Sequence, residues 1–355
     1  MLVESPPESS SGPPAAPGTG TGARPGRHAI RAAGLLVAVG VLVLVCLASV
    51  AIGAKSLPLS EVWHGLFHYS GGNGDVLVRD VRVPRTVLGL IVGAALGLAG
   101  AVMQALTRNP LAEPGLLGVN AGAAAAVVSA ITFLGVTSLT GYVWFAFGGA
   151  AVVSVAVYLL GGSRSANPVR LALAGTAVTA ALFGYVNAVQ LLDAAALDRL
   201  RFWTVGSLAS ANTETVGKVW PFVAAGVVLA LLIARPLNAL EMGDDTAKAL
   251  GAHLTRTRVL AMVAVTLLCG AATAACGPIV FIGLMIPHLV RTLTGPDLRW
   301  ILPYAAVLAP VLLLGADVVG RVVARPAELQ VGIVTALLGG PVFIHLVRRK
   351  RMAQL

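Results

Sequence analysis

The chain has 355 residues, 57% hydrophobic and only 11% charged, with a mean hydropathy of +0.86. Soluble domains carry roughly a quarter of their residues as charges, so this composition excludes a water-soluble enzyme and predicts an all-α polytopic membrane protein. The net charge of +10 does not point to nucleic acid, because the basic residues are scattered between apolar runs and none forms a patch interleaved with aromatics.

Residues 1–28 are rich in Pro, Ser, Gly and Ala with no apolar period, and read as a disordered cytoplasmic tail ahead of a transmembrane domain over 29–355. The first apolar run is too long for the core of a cleaved signal and lacks a small-residue cleavage site close behind it. A crossing helix needs roughly 20 mostly apolar residues. Such runs lie near 30–53, 84–105, 114–136, 141–161, 169–191, 215–235, 257–276, 278–293, 300–316 and 329–347. The seventh and eighth are divided mainly by Cys276-Gly277-Pro278, so nine or ten crossings fit. With the N-terminus inside, sixteen of the 25 Lys and Arg fall in cytoplasmic connections, as the positive-inside rule asks. Both termini are then inside, which requires an even number and favours ten.

After the second run the sequence reads "RNPLAEPGLLGVNAGAAAAVV" from Arg108. Pro110 and Pro114 stop helix continuation, while Asn109 and Glu113 bring polar groups that only water or protein can satisfy. A short, stiff elbow is the consequence. In the run before it, Gly89, Gly93, Gly97 and Gly100 repeat at three- and four-residue spacing on one helical face. Small residues let helix backbones approach closely in lipid, so this stripe predicts helix packing rather than a substrate site.

Arg79, Arg82 and Arg85 precede the second span, and Arg321 and Arg325 lie near the last outer connection. Outer arginines run against the orientation rule. Their planar forks suit bidentate contact with carboxylates, and snorkelling to lipid headgroups is the alternative. The longest cytoplasmic connection, "RPLNALEMGDDTAKALGAHLTRTR" from Arg235, carries Leu237, Leu240, Ala247 and Leu250 in an incomplete amphipathic pattern. Gly243 and Gly251 can break it into two short helices.

All fifteen Asp and Glu fall in connections or at span ends. Ion-coupled transporters usually place ionisable groups inside the membrane, which counts against the alternative of an ion-coupled secondary transporter of a small solute. No GxxxxGK[ST], HExxH or GxSxG sequence occurs, so no catalytic residue is assigned and no cofactor is expected on this chain. Cys46, Cys269 and Cys276 lack ligand spacing, as do the isolated His288 and His345, and no metal site is assigned. Five tryptophans lie mostly at span ends, consistent with interfacial anchoring.

Several stretches together resemble one family, the FecCD-type permeases of bacterial ABC importers for iron-siderophores, haem or cobalamin. They are "RVPRTVLGLIVGAALGLAGAVMQALTRNPLAEPGLLGVNAGA" (82–123), "WTVGSL" (203–208), "LNALEMGDDTAKALG" (237–251), "GPIVFIGLMIPHLVR" (277–291) and "ADVVGRVVARPAELQVGIVTALLGGPVFIHLVRR" (316–349). The resemblance runs in order from about residue 35 to the C-terminus. It implies a type II ABC importer permease fold in the bacterial cytoplasmic membrane. The implied partners are a second permease copy, ATP-binding cassette subunits that hold ATP and Mg²⁺, and an extracellular substrate-binding protein. It further implies that Arg82, Arg85 and Arg321 dock that protein, and that Asn109, Pro110 and Leu111 belong to the inner gate. Leu240, Gly243, Ala247, Leu250 and Gly251 would belong to coupling helices against the ATPase.

Overall fold

In hydrocarbon every backbone polar group must be paired within its own segment, and the described residues accordingly contain helices and connections but no strand. The computed structural model describes residues 25–136, 138–161 and 168–352. The expected tail, residues 1–28, lies outside this range except for its last four residues, which already belong to the first helix.

The elements are α1 (Pro25–Ala51), α2 (Leu59–Phe67), α3 (Asn73–Val76), α4 (Val83–Thr107), α5 (Val119–Leu134), α6 (Leu139–Leu160), α7 (Pro168–Leu192) and α8 (Ala194–Trp203). They continue with α9 (Thr213–Leu232), α10 (Ala234–Glu241), α11 (Asp244–Ala249), α12 (Leu254–Cys276), α13 (Ile282–Thr294), α14 (Leu298–Val323) and α15 (Val331–Met352). A π-helical stretch, Leu77–Arg82, joins α3 to α4, and a 3-10 turn, Pro114–Leu117, precedes α5. Seven helices among the described residues are long and apolar enough to cross a membrane, and the shorter α5 and α15 are also apolar. Together with α13 they occupy the ten expected runs.

Several boundaries depart from expectation. The second span begins at Asn73 rather than near 84, because the polar stretch with Asp75, Arg79 and Asp80 continues the helix. The third is broken at Gly118, whose φ of 70° is left-handed, so the 3-10 turn and α5 are separate pieces. The expected division after Cys276 is present: α12 ends there, and Gly277 takes φ 75°. The short α2 and α8 had no counterpart among the expected spans.

Burial separates core from periphery. In α3–α4 and α12, 78% and 72% of the apolar window is buried, against 11% for α1 and 17% for α7. The inner pair therefore carries the packing, and α1 and α7 present apolar surface outward, as lipid-facing or partner-facing helices do. Gly93 faces the backbone of Pro310 so closely that a Cβ there would lie 2.5 Å from its Cα, and a Cβ on Gly97 would lie 2.6 Å from the Ala305 oxygen. Gly100 meets the carbonyl of Gly283. The glycine stripe thus seats α4 against α14 and α13, the packing use expected of small residues in lipid.

Candidate functional site

Helix α4 ends because Arg108 turns left-handed, at φ 51°, an unusual conformation for a residue with a Cβ. The turn lets the Asn109 amide donate to the Gln104 oxygen at 3.1 Å. Asn109 then closes an Asx turn, its Oδ1 accepting the Leu111 amide at 3.0 Å. Glu113 reaches across the chain, and its carboxylate accepts the amide of Phe281 at 3.0 Å. Phe281 is the left-handed N-cap of α13, at φ 69°. The two polar groups of the elbow are thus satisfied by protein, one within the elbow and one on α13. Pro287 lacks the N–H that would pair with the Gly283 carbonyl inside α13. Gln104 Nε2, in the last turns of α4, lies 3.5 Å from that oxygen and donates to Leu284 O at 3.1 Å.

Beside the elbow lies the 237–251 segment, folded as the two expected short helices. Gly243 and Gly251 adopt φ of 114° and 79°, conformations that favour glycine, and they bound α11 on both sides. Leu237, Leu240 and Ala247 are buried within the chain, while Met242 and Leu250 are 59% and 63% exposed. Of the expected coupling residues, Leu240 and Ala247 therefore anchor the segment to its own bundle, and Leu250 and Gly251 lie outside, with Met242 beside them. Sequence periodicity did not separate these roles, because a half-formed amphipathic pattern gives no sign of which face is already covered.

Charged contacts fix the segment. Arg108 Nε donates to Leu240 O at 2.7 Å, and its Nη2 pairs with Asp244. Arg258, on α12, donates to the other Asp244 oxygen at 2.8 Å. Partial burial disfavours the Asp244 carboxylate, but the hydrogen bonds from Arg258 and Arg108 outweigh it and hold the group below its usual range. Arg291, near the end of α13, pairs with Glu241 at 2.7 Å. Asn238 donates to Asp297 at 2.8 Å and accepts the Leu298 amide at 2.9 Å, tying α10 to the start of α14.

At the opposite end of α4 and α14 sits the arginine cluster, and its three expected docking residues are buried within the chain. Arg82, Arg85 and Arg321 are only 3%, 5% and 1% exposed. Arg82 donates to the carbonyls of Val50, Ala51 and Lys55 at the end of α1 and just beyond. Arg85 holds Asp317 through both Nε and Nη2 and reaches Glu328 at 2.7 Å. Arg321 pairs with Asp317 at 3.0 Å and donates to the carbonyl and hydroxyl oxygens of Ser49. The cause is electrostatic: a buried guanidinium without a partner is costly, and the carboxylates of Asp317 and Glu328 together with the open carbonyls of the α1 terminus supply acceptors. Sequence reasoning had not paired these groups, although the i, i+4 spacing of Asp317 and Arg321 is a helix ion-pair signal. Arg79 remains exposed and stacks over the Tyr69 ring at 5.2 Å.

This architecture has known counterparts. Residues 41–349 match the FecCD transport family. The chain is 48% identical over 326 residues to the ferric enterobactin transport system permease protein FepD of Escherichia coli (strain K12), covering 91% of this chain and 96% of the relative. It is 37% identical over 320 residues to the hemin transport system permease protein HmuU of Yersinia pestis, covering 87% and 93%. Among solved structures, a metal-chelate-type ABC transporter in an inward-facing conformation aligns with a TM-score of 0.78 at 29% identity, over 90% of this chain and 99% of that one. PsaBC from Streptococcus pneumoniae, at 16% identity and a TM-score of 0.58, shares the fold. The chain belongs to the FecCD transport family and is a permease, a transport subunit rather than an enzyme.

Proposed function

We propose that the chain carries a ferric siderophore inward across the bacterial cytoplasmic membrane, through a path between two permease copies. The observation that carries this reading is the end-to-end similarity to a ferric enterobactin permease, at 48% identity. The elbow end faces the cytoplasm, with both termini on that side, as the basic residues around it ask. ATP and Mg²⁺ act on separate ATPase chains, and the permease needs no cofactor of its own.

In this reading Met242 and Leu250, exposed beside Gly243 and Gly251, enter a groove on the ATPase. Leu240 and Ala247 pass the displacement into the bundle, and Asn109, Pro110 and Leu111 narrow the inner mouth of the path. An extracellular binding protein delivers the chelate at the arginine end. Arg79, which is exposed there, is available to its carboxylates directly, whereas Arg85 and Arg321 engage them only if their Asp317 pairs open, and Arg82 only if it leaves the carbonyls at the end of α1. The permease performs no bond chemistry. It differs in stability between outward-facing, occluded and inward-facing arrangements, and the nucleotide cycle supplies the free-energy difference.

The test is transport specificity. The permease, reconstituted with its ATPase and binding protein, is given ⁵⁵Fe-loaded catecholate and hydroxamate siderophores, haem and cobalamin in turn. ATP-dependent accumulation of a ferric siderophore is expected; accumulation of haem or cobalamin alone would overturn the cargo assignment.

A further inference from the structure

One residue at the start of the elbow, Arg108, is joined by polar contacts to two residues of the coupling segment, Leu240 and Asp244. Arg108 is the last residue before the Asn109-Pro110-Leu111 turn, and its left-handed backbone aims its guanidinium back toward α10 and α11. There it binds two acceptors at once, the Leu240 carbonyl at 2.7 Å and the Asp244 carboxylate. Leu240 ends the buried face of α10, and Asp244 opens α11 directly after the left-handed Gly243. A displacement of the segment about Gly243 therefore pulls on both acceptors of the same guanidinium.

A second connection runs in parallel through α13. Its C-terminal turn is held to α10 by Arg291 and Glu241 at 2.7 Å. Its N-cap, Phe281, is held to the far side of the elbow by Glu113 at 3.0 Å. The elbow is thus gripped on both sides of Leu111, by a direct pin and by a thirteen-residue rod. Pro287 removes one backbone bond inside that helix, and Gln104 of α4 donates to the adjacent Leu284 carbonyl at 3.1 Å, so the helix joins the two contacts with α4 bracing it at that turn.

We infer that Arg108 is the positioning residue that transmits movement of the ATPase-coupling segment to the inner-gate elbow, with α13 as a parallel strut. The inference rests on the proposed roles of the two elements. It adds the side chain that joins them, since proximity alone does not establish coupling. Arg suits the task because a single planar fork serves two acceptors, which a lysine ammonium cannot do in the same geometry.

The experiment uses the complete permease–ATPase complex in nanodiscs, with Leu111→Cys as a reporter and the chain without it as background for the native Cys46, Cys269 and Cys276. A water-soluble maleimide measures the labelling rate of the reporter without nucleotide and with ATP trapped by vanadate. With Arg108 present, the two rates differ by on the order of tenfold, the scale of ordinary coupling free energies. Arg108→Ala reduces the ratio to below about twofold, and Arg108→Lys, which can reach one acceptor at a time, gives an intermediate ratio. Co-purified ATPase confirms assembly of each variant. If Arg108→Ala keeps the full ratio, the inference is overturned and the proposed gate stands. If the chain with Arg108 intact shows no nucleotide-dependent change, the gate reading itself fails and takes the inference with it.

Discussion

The guanidinium of Arg85 and the carboxylate of Asp317, 232 residues apart in the chain, meet inside the bundle through hydrogen bonds of 2.7 to 3.3 Å. Asp317 also pairs with Arg321, so one carboxylate holds α4 and α14 together beneath the end of α1. Removing one member of a buried pair strands the other, at about 3–5 kcal/mol. Asp317→Ala is accordingly expected to lower the unfolding temperature of the detergent-solubilised protein by several degrees. Glu328→Ala, whose partner keeps Asp317, should shift it much less. Equal, small shifts for both would show that the network is not a structural strut.

The glycine stripe makes a second prediction. A methyl on Gly93 or Gly100 would meet backbone atoms of Pro310 or Gly283, which cannot rotate aside, whereas one on Gly40 meets nothing within 4 Å. Overpacking of a filled interior costs about 1–3 kcal/mol. Gly93→Ala and Gly100→Ala should therefore reduce the monodisperse fraction on size exclusion and the thermal midpoint, and Gly40→Ala should leave both unchanged. The seat of α4 would need revision if all three behaved alike.

Glu113 tests how the elbow is held. Its carboxylate accepts the Phe281 amide, and a glutamine could still accept through its amide oxygen. An alanine would leave that N–H unmet, at about 1–3 kcal/mol. The expected order of stability is therefore glutamate, then glutamine, then alanine, read from thermal unfolding. A glutamine variant as impaired as alanine would mean that the charge, not the hydrogen bond, is what the site requires.

Most of the bundle was legible in the sequence, since apolar length alone located the ten runs, and the two glycines of the 237–251 segment marked where its short helices break. Close helix packing was legible in the Gly89 to Gly100 spacing for the same reason: it depends on local pattern and residue size. The arginine end was not. Whether Arg82, Arg85 and Arg321 face water or the interior depends on where Asp317 and the carbonyls of Val50 and Ala51 arrive in three dimensions. The same holds for Arg108, whose partners at Leu240 and Asp244 lie 132 and 136 residues away. Long-range partners of that kind leave no periodic trace.

The pH dependence of the coupling segment follows from Asp244. Hydrogen bonds from Arg258 and Arg108, opposed by partial burial, hold its carboxyl below the ordinary 3.8. A depressed folded-state value contributes stability that is fully present above the ordinary value and is lost only as pH falls through the depressed one. The nucleotide-dependent labelling ratio at Leu111→Cys is therefore expected to stay level from about pH 8 to about pH 5. A decline centred near pH 6 would show that a different group controls the link.

The most direct measurement is uptake of ⁵⁵Fe-siderophore into proteoliposomes that hold either the permease alone or the permease with its ATPase and binding protein. The account predicts accumulation only in the complete assembly and only with hydrolysable ATP inside, with no uptake by the lone chain under a proton or sodium gradient. Gradient-driven accumulation by the lone chain would contradict it.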